Sequence, residues 1–192
     1  MKLLAFGTFA LAALAATSAS AQDASFGPAL PGVCVYHHDR LLAQSTAGQA
    51  VQAGMQRLGQ EVDVELLPYQ QFVVTERQAL QQGQGTIPQA DFQTRAQALE
   101  VRYQEGQQRA QVLQNELRYT QGLQLQAIAQ AADPVIMALY TERGCGILIS
   151  RDGVLRVNPA MDITEAAVQR VNAALPTLSF TRMTVPAGQQ AQ

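Results

Sequence analysis

The sequence predicts an α+β chain: a small β body carrying a long antiparallel helical hairpin with coiled-coil-like packing. Three observations predict it. Residues 46–143 are rich in glutamine and nearly free of proline, and apolar residues recur there every three or four positions, the spacing of one helix face. That stretch breaks once, at Gly83-Gln84-Gly85-Thr86-Ile87-Pro88, so its halves should fold back on each other. The flanks hold short β-branched runs at 33–36, 147–149 and 154–157, too few strands for an isolated core. Their edges would stay open. A closed oligomer that joins strands from several subunits into one β body removes both problems.

The chain of 192 residues starts with a positive Met1-Lys2, an almost wholly apolar Leu3–Ala16 and the small-residue run Ala19-Ser20-Ala21. This is the form of an export signal, residues 1–21, cleaved between Ala21 and Gln22. The apolar run is short for a membrane span. Lys2 is the only lysine, and without it 12 arginines face 15 acidic groups with no basic block. That balance excludes nucleic acid as a partner and argues against strong electrostatic steering. Two cysteines, Cys34 and Cys145, flank the hairpin. In an oxidising compartment they can bond and clip the start of the excursion to its end. They can equally pack as two small buried apolar groups, and the sequence leaves both readings open.

Residues 22–31 hold two prolines, a glycine and small residues, and predict a flexible leader. Val33-Cys34-Val35-Tyr36 predicts a strand. His37 and His38 follow. Adjacent histidines on a strand point to opposite faces and make a poor metal pair, and no third histidine exists. After a helical turn at 40–44, Ser45 or Thr46 caps the first arm. Val51, Met55, Leu58, Val62, Leu66, Tyr69, Val73 and Leu80 form its stripe, and Pro68 should bend it near 64–67. Gly83 and Gly85 end it, with Thr86 as the next N-cap and Pro88 in the first turn.

Along the second arm Phe92, Ala96, Leu99, Tyr103, Gly106, Ala110, Leu113, Leu117 and Thr120 alternate steps of four and three, a heptad-like seam. Several members are small or polar, so the seam is weak. It continues through Ile128, Ala131, Val135 and Ala138, and Asp133-Pro134 should kink or restart the helix. Residues 51–130 contain 21 glutamines, which form helix well and keep its surface wet.

Ile147-Leu148-Ile149, the turn Arg151-Asp152-Gly153 and Val154-Leu155-Arg156-Val157 predict a β-hairpin. Asp162 or Thr164 then caps a short helix at 165–174, packed through Ile163, Ala167, Val168 and Val171. Pro176 stops it, and 176–192 reads as a flexible tail. The expected organisation is a β body from 32–45 and 144–175, an arm from 46–143 with its turn near 83–88, and the tail.

No nucleophile elbow, phosphate loop or metal-spaced cluster is present. A Cys34–His37 pair has nothing to orient it, and Asp152 and Asp162 have turn and cap roles. The sequence therefore predicts no enzyme, no cofactor and no metal. A long two-helix arm cannot bury much surface on itself, so it either assembles with copies or encloses something. Tyr69, Phe72, Phe92 and Tyr103 are its candidate contact residues, for a client or for the other arm.

Three anchors make the layout resemble the Skp, or OmpH-like, periplasmic chaperones of outer-membrane proteins. The first is the opening strand followed by Ser45-Thr46-Ala47-Gly48-Gln49-Ala50, similar to the family's S-x-x-G helix start. The second is the glutamine-rich hairpin. The third and most specific is Gly146-Ile147-Leu148-Ile149 through Asn158-Pro159-Ala160-Met161-Asp162-Ile163-Thr164, with Asn158 where the family has aspartate. The resemblance covers about residues 32–175. It implies a homotrimer shaped like a jellyfish, its β body shared by three subunits and its hairpins hanging as tentacles around a cavity. Unfolded outer-membrane β-barrel proteins would be held there without ATP or cofactor, with the outer-membrane assembly machinery as a further partner and membrane contact at most peripheral. Well-known members have lysine-rich tentacles. This chain does not, so apolar and glutamine contacts on the inner arm faces are expected to carry capture. The rival reading is a periplasmic structural or adaptor coiled-coil protein that holds no client.

Overall fold

A computed structural model describes residues 26–189. The expected signal peptide, its expected cleavage site and the start of the expected leader lie outside the described residues. The order is β1 (Val33–Tyr36), α1 (His38–Gln44), α2 (Thr46–Gln82), α3 (Gln89–Glu142), β2 (Ile147–Ser150) and α4 (Thr164–Ala174), with 3-10 turns at Arg151–Gly153, Pro159–Met161 and Ala187–Gln189. β1 and β2 pair in parallel, Val33 opposite Ile147 and Tyr36 opposite Ser150. Parallel strands need a long crossover, and here the whole hairpin is that crossover.

The third strand is a correction. Residues 154–157 pair with no strand among the described residues. A tight hairpin needs positive φ in its turn, and Gly153 is not among the positive-φ glycines. Instead Arg151–Gly153 makes a 3-10 turn, capped by Ser150 and closed by the Arg151 guanidinium on the Val154 carbonyl. The second edge of β1 is also taken, because Ile163 N–H donates to the Val35 carbonyl at 2.9 Å.

The base core gathers Cys34, Leu41, Ala47, Val51, Ile128, Ala132, Leu139, Cys145, Ile163, Ala167, Val168 and Val171. α3 is longer than α2, and its last turns bring Ile128, Ala132 and Leu139 into this core. Cys34 and Cys145 are joined as a disulfide within it, with Cα atoms 5.7 Å apart. α4 fastens both ends of the arm. Asn172 Oδ1 accepts the Thr46 N–H at 2.8 Å, and Arg170 forks onto Glu142. Ile163, not Asp162 or Thr164, takes the N-cap position of α4; Asp162 Oδ1 accepts the Thr164 N–H from one residue further back, while Thr164 Oγ1 accepts the His37 N–H. The two histidines thus stand at the junction of β1 and α1.

The start of α2 depends on a close approach. Ser45 Oγ accepts the Gly48 N–H at 3.1 Å, and a Cβ on Gly48 would stand 1.7 Å from the Leu42 carbonyl oxygen. Only a residue without Cβ lets α1 and α2 meet at this angle.

Both prolines are absorbed within continuous helices, and the restart expected at Asp133-Pro134 does not occur. Pro68 and Pro134 are exposed, as are Val64 and Gln130 one turn earlier. Water can therefore take up the carbonyls that lose a donor. At the turn, Gly85 has a φ of +83° and Thr86 donates its hydroxyl to the Gly83 carbonyl. Thr86 closes the turn, and Pro88 takes the N-cap position expected of it.

Both terminal segments make contacts with the rest of the chain. The described part of the leader is tied down, with the Gly27 carbonyl accepting from Asn158 Nδ2 at 2.8 Å. Asn158 Oδ1 also caps the Ala160 N–H, as an aspartate would. The amide supplies a donor that an aspartate lacks. Phe180 and Arg182 of the tail are packed onto the hairpin.

Candidate functional site

The hairpin is the largest feature of the described chain. α2 and α3 run for 37 and 54 residues, which at 1.5 Å per residue gives about 55 and 80 Å. The stripe read from α2 faces inward throughout. Full burial is nevertheless concentrated near the base. Between Val62 and Leu113, Leu80 is the one buried residue among those described. A fully buried Leu or Val contributes about 1.5–3 kcal/mol, so the distal arm has little to rigidify it.

Ionic and ring contacts supplement that sparse seam. Arg95 grips Glu76 with a fork at 2.5 and 2.9 Å, and Arg109 Nε reaches Glu65 at 2.7 Å. Arg102 stacks over the Tyr69 ring, 4.2 Å from its centre. Gly106 makes room for Tyr69, since a Cβ there would lie 3.1 Å from the tyrosine Cβ. The bond from Arg109, reinforced by one from Arg182, holds the Glu65 carboxyl below its usual range. Arg95 does the same for Glu76.

The four candidate aromatics do not form one site. Tyr69 and Tyr103 line one shallow hollow of about 140 Å³ with Leu66, Val73 and Arg102. Tyr69 is half-buried in the seam, whereas Tyr103 is 44% exposed. Tyr103 is the exposed member of the predicted seam from Phe92 to Thr120, while Leu99 before it and Gly106 after it stay partly buried. Phe72 is exposed on α2 and does not line the hollow. Phe92 is half-buried close to the turn, also apart from it.

Thr120 was read into the seam as one of its weak polar members, but Glu116 beside it and the segment that meets both were missed. Glu116 and Thr120 are buried between the arms. Arg182 of the tail reaches Glu65 at 2.8 Å and Glu116 at 3.1 Å, and the Met183 N–H donates to Thr120 Oγ1 at 2.8 Å. The available signal was the alternation Leu178-Ser179-Phe180-Thr181-Arg182, short and close to the C-terminus.

The described residues contain no group of three or more His, Cys, Asp or Glu that could hold a metal ion, and no helix long and apolar enough to cross a membrane. Fold and surfaces together define an arm-bearing protein, two long helices raised from a small disulfide-closed base. The family described as Outer membrane protein (OmpH-like) matches residues 32–171, and the chain belongs to that family. It is similar to the crystal structure of a candidate outer membrane chaperone (OmpH-like) from Caulobacter crescentus CB15, at 33% identity, 85% coverage of this chain, 96% coverage of that chain and a TM-score of 0.74. No curated protein matches. The family is periplasmic, and membership supports a general, non-catalytic chaperone role in outer-membrane-protein biogenesis.

Proposed function

We propose that the chain is an ATP-independent periplasmic holdase. It assembles as a homotrimer through its base and encloses unfolded outer-membrane β-barrel proteins between its arms. Clients are kept from aggregating during transit and are passed to the outer-membrane assembly machinery. The observation that carries this reading is the distal arm. It buries almost nothing within itself, yet leaves Val64, Leu67, Phe72, Val74, Val101 and Tyr103 exposed. Such a surface offers many weak apolar contacts, and multivalent binding of that kind holds an unfolded chain and releases it as it folds. Self-association is favoured by Ile147, Ile149 and Leu155, all exposed on the single chain, Leu155 almost completely.

Phe72 and Tyr103 are the aromatics best placed for clients, while Tyr69 and Phe92 serve arm packing. With no lysine in the arms, capture rests on apolar and glutamine contacts. The test mixes purified protein with a urea-unfolded β-barrel protein, dilutes the mixture and follows light scattering. Suppression at a trimer-to-client ratio near unity is expected, with a complex mass equal to three chains plus one client. No suppression at several-fold excess favours a structural coiled-coil protein instead. Client affinity should change little between low and high salt, and a steep loss would sink the apolar capture mechanism.

A further inference from the structure

Beyond α4 the chain runs extended along the seam between α2 and α3. Leu178, Phe180 and Arg182 are partly buried and alternate with exposed Ser179 and Thr181, the two-residue period of an extended segment. Each anchor meets a fitted partner. The Phe180 ring lies on Gly54, where a Cβ would stand 2.5 Å from the ring tip. Arg57 donates to the Phe180 carbonyl at 2.8 Å. Two residues on, Arg182 bridges Glu65 and Glu116. The next N–H, that of Met183, donates to Thr120 Oγ1, whose own proton goes to the Glu116 carbonyl at 2.7 Å.

A glycine in the middle of a helix and buried polar groups in an apolar seam both weaken a coiled coil. Here they make one groove that reads an aromatic side chain, then a cation two residues later, then a backbone N–H. The tail is not paired in the sheet, and its departure would break no hydrogen bond within α2 or α3. Its alternation of apolar and polar residues is also the pattern of strands in membrane β-barrels.

We propose that this groove binds extended, unfolded polypeptide carrying an aromatic residue followed two places on by arginine or lysine, and that the tail is its resident occupant, displaced by such a segment of a client. This rests on the chaperone reading above and names one contact within it. Charge complementarity selects the cation, because Glu65 and Glu116 bring two carboxylates to the groove while Arg109 on Glu65 supplies one positive charge, which leaves one negative charge to be matched. The exposed arm surface supplies no such register.

The experiment uses the full chain and a fluorescein-labelled peptide of residues 175–189, read by anisotropy. A tethered tail competes with the free peptide. The double variant Phe180→Ala, Arg182→Ala should therefore bind the peptide at least about tenfold more tightly than the wild type. Adding Glu65→Gln and Glu116→Gln should remove that gain, and a scrambled peptide should not bind. A urea-unfolded β-barrel protein should displace the peptide from the double variant. If the double variant loses its helical circular dichroism, Arg182→Gln, which loosens the tail while keeping Phe180 on Gly54, should still bind the peptide more tightly than the wild type, by a smaller factor. Equal affinity of wild-type and tail-released protein overturns the proposal, and so does a peptide that stays bound at saturating client. Suppression of aggregation by the wild type is scored separately. Its absence counts against the holdase reading, whereas its presence with no displacement of peptide overturns the groove alone.

Discussion

The disulfide between Cys34 and Cys145 offers the sharpest stability test, because its loop is the whole arm. It links positions 111 residues apart. In the chain-entropy treatment, cross-linking a loop of that length removes about 16 cal/mol/K from the unfolded ensemble, or about 5 kcal/mol at 25 °C. Native packing changes little on reduction, since both sulfurs lie in the base core with neighbours on every side. Unfolding entropy near 2.1 cal/mol/K per residue, taken over the described chain, converts this to a fall in Tm of about 10–15 °C. The assay is thermal unfolding followed at 222 nm, at one fixed protein concentration because self-association also shifts Tm. Wild-type protein with and without reductant should be compared with Cys34→Ser, Cys145→Ser and the double variant. The double variant should lose far less than the sum of the two single variants, since all of them remove the same single link. A fall below about 3 °C with the thiols shown to be free would refute the reasoning. Additive losses in the double variant would refute it too.

Gly48→Ala should destabilise by about 2–4 kcal/mol in urea unfolding despite the better helix propensity of alanine, because the new Cβ meets the Leu42 carbonyl, which cannot swing away. An unchanged or raised midpoint would show that the α1–α2 junction relaxes freely. The folded-state pKa of Glu65 is depressed, so its contribution is present above its ordinary value of 4.5 and is lost as pH falls through the lowered value. Urea midpoints should therefore drop below about pH 4.5, and Glu65→Gln should shrink that drop. Amide hydrogen exchange should be graded along the hairpin. Residues 63–112, where Leu80 is the one buried residue, should exchange faster than the turns around Ile128 and Leu139; uniform protection would contradict a compliant arm.

Much of the architecture was legible because it depends on local pattern. The 3.6-residue period of Val51 to Leu80 marked the buried face of α2, and Gly83 to Pro88 marked its return. The motif Ser45-x-x-Gly48 was legible as a helix start, but its reason was not. That reason is the carbonyl of Leu42, which belongs to another helix. Val154–Val157 was misread as a paired strand because its composition is that of a strand, while pairing depends on turn geometry and on which edges are free. Tyr103 was read into the seam but is exposed, and its neighbour Arg102 makes the ring contact with Tyr69.

The candidate site divides in the same way. The sequence by itself determined that the chain carries a glutamine-rich, lysine-free hairpin on a small base, and it held the residues of the family motif, because composition and period need no partner to be read. Only the tertiary structure decided what fills the seam. Glu116 and Thr120 are polar residues at seam positions, and along the chain they look like weakness in a coiled coil. Folding brings Arg182 and the Met183 N–H to them from more than sixty positions away. A buried carboxylate or hydroxyl is tolerated only where a partner reaches it, and no local pattern shows that a short C-terminal alternation supplies one.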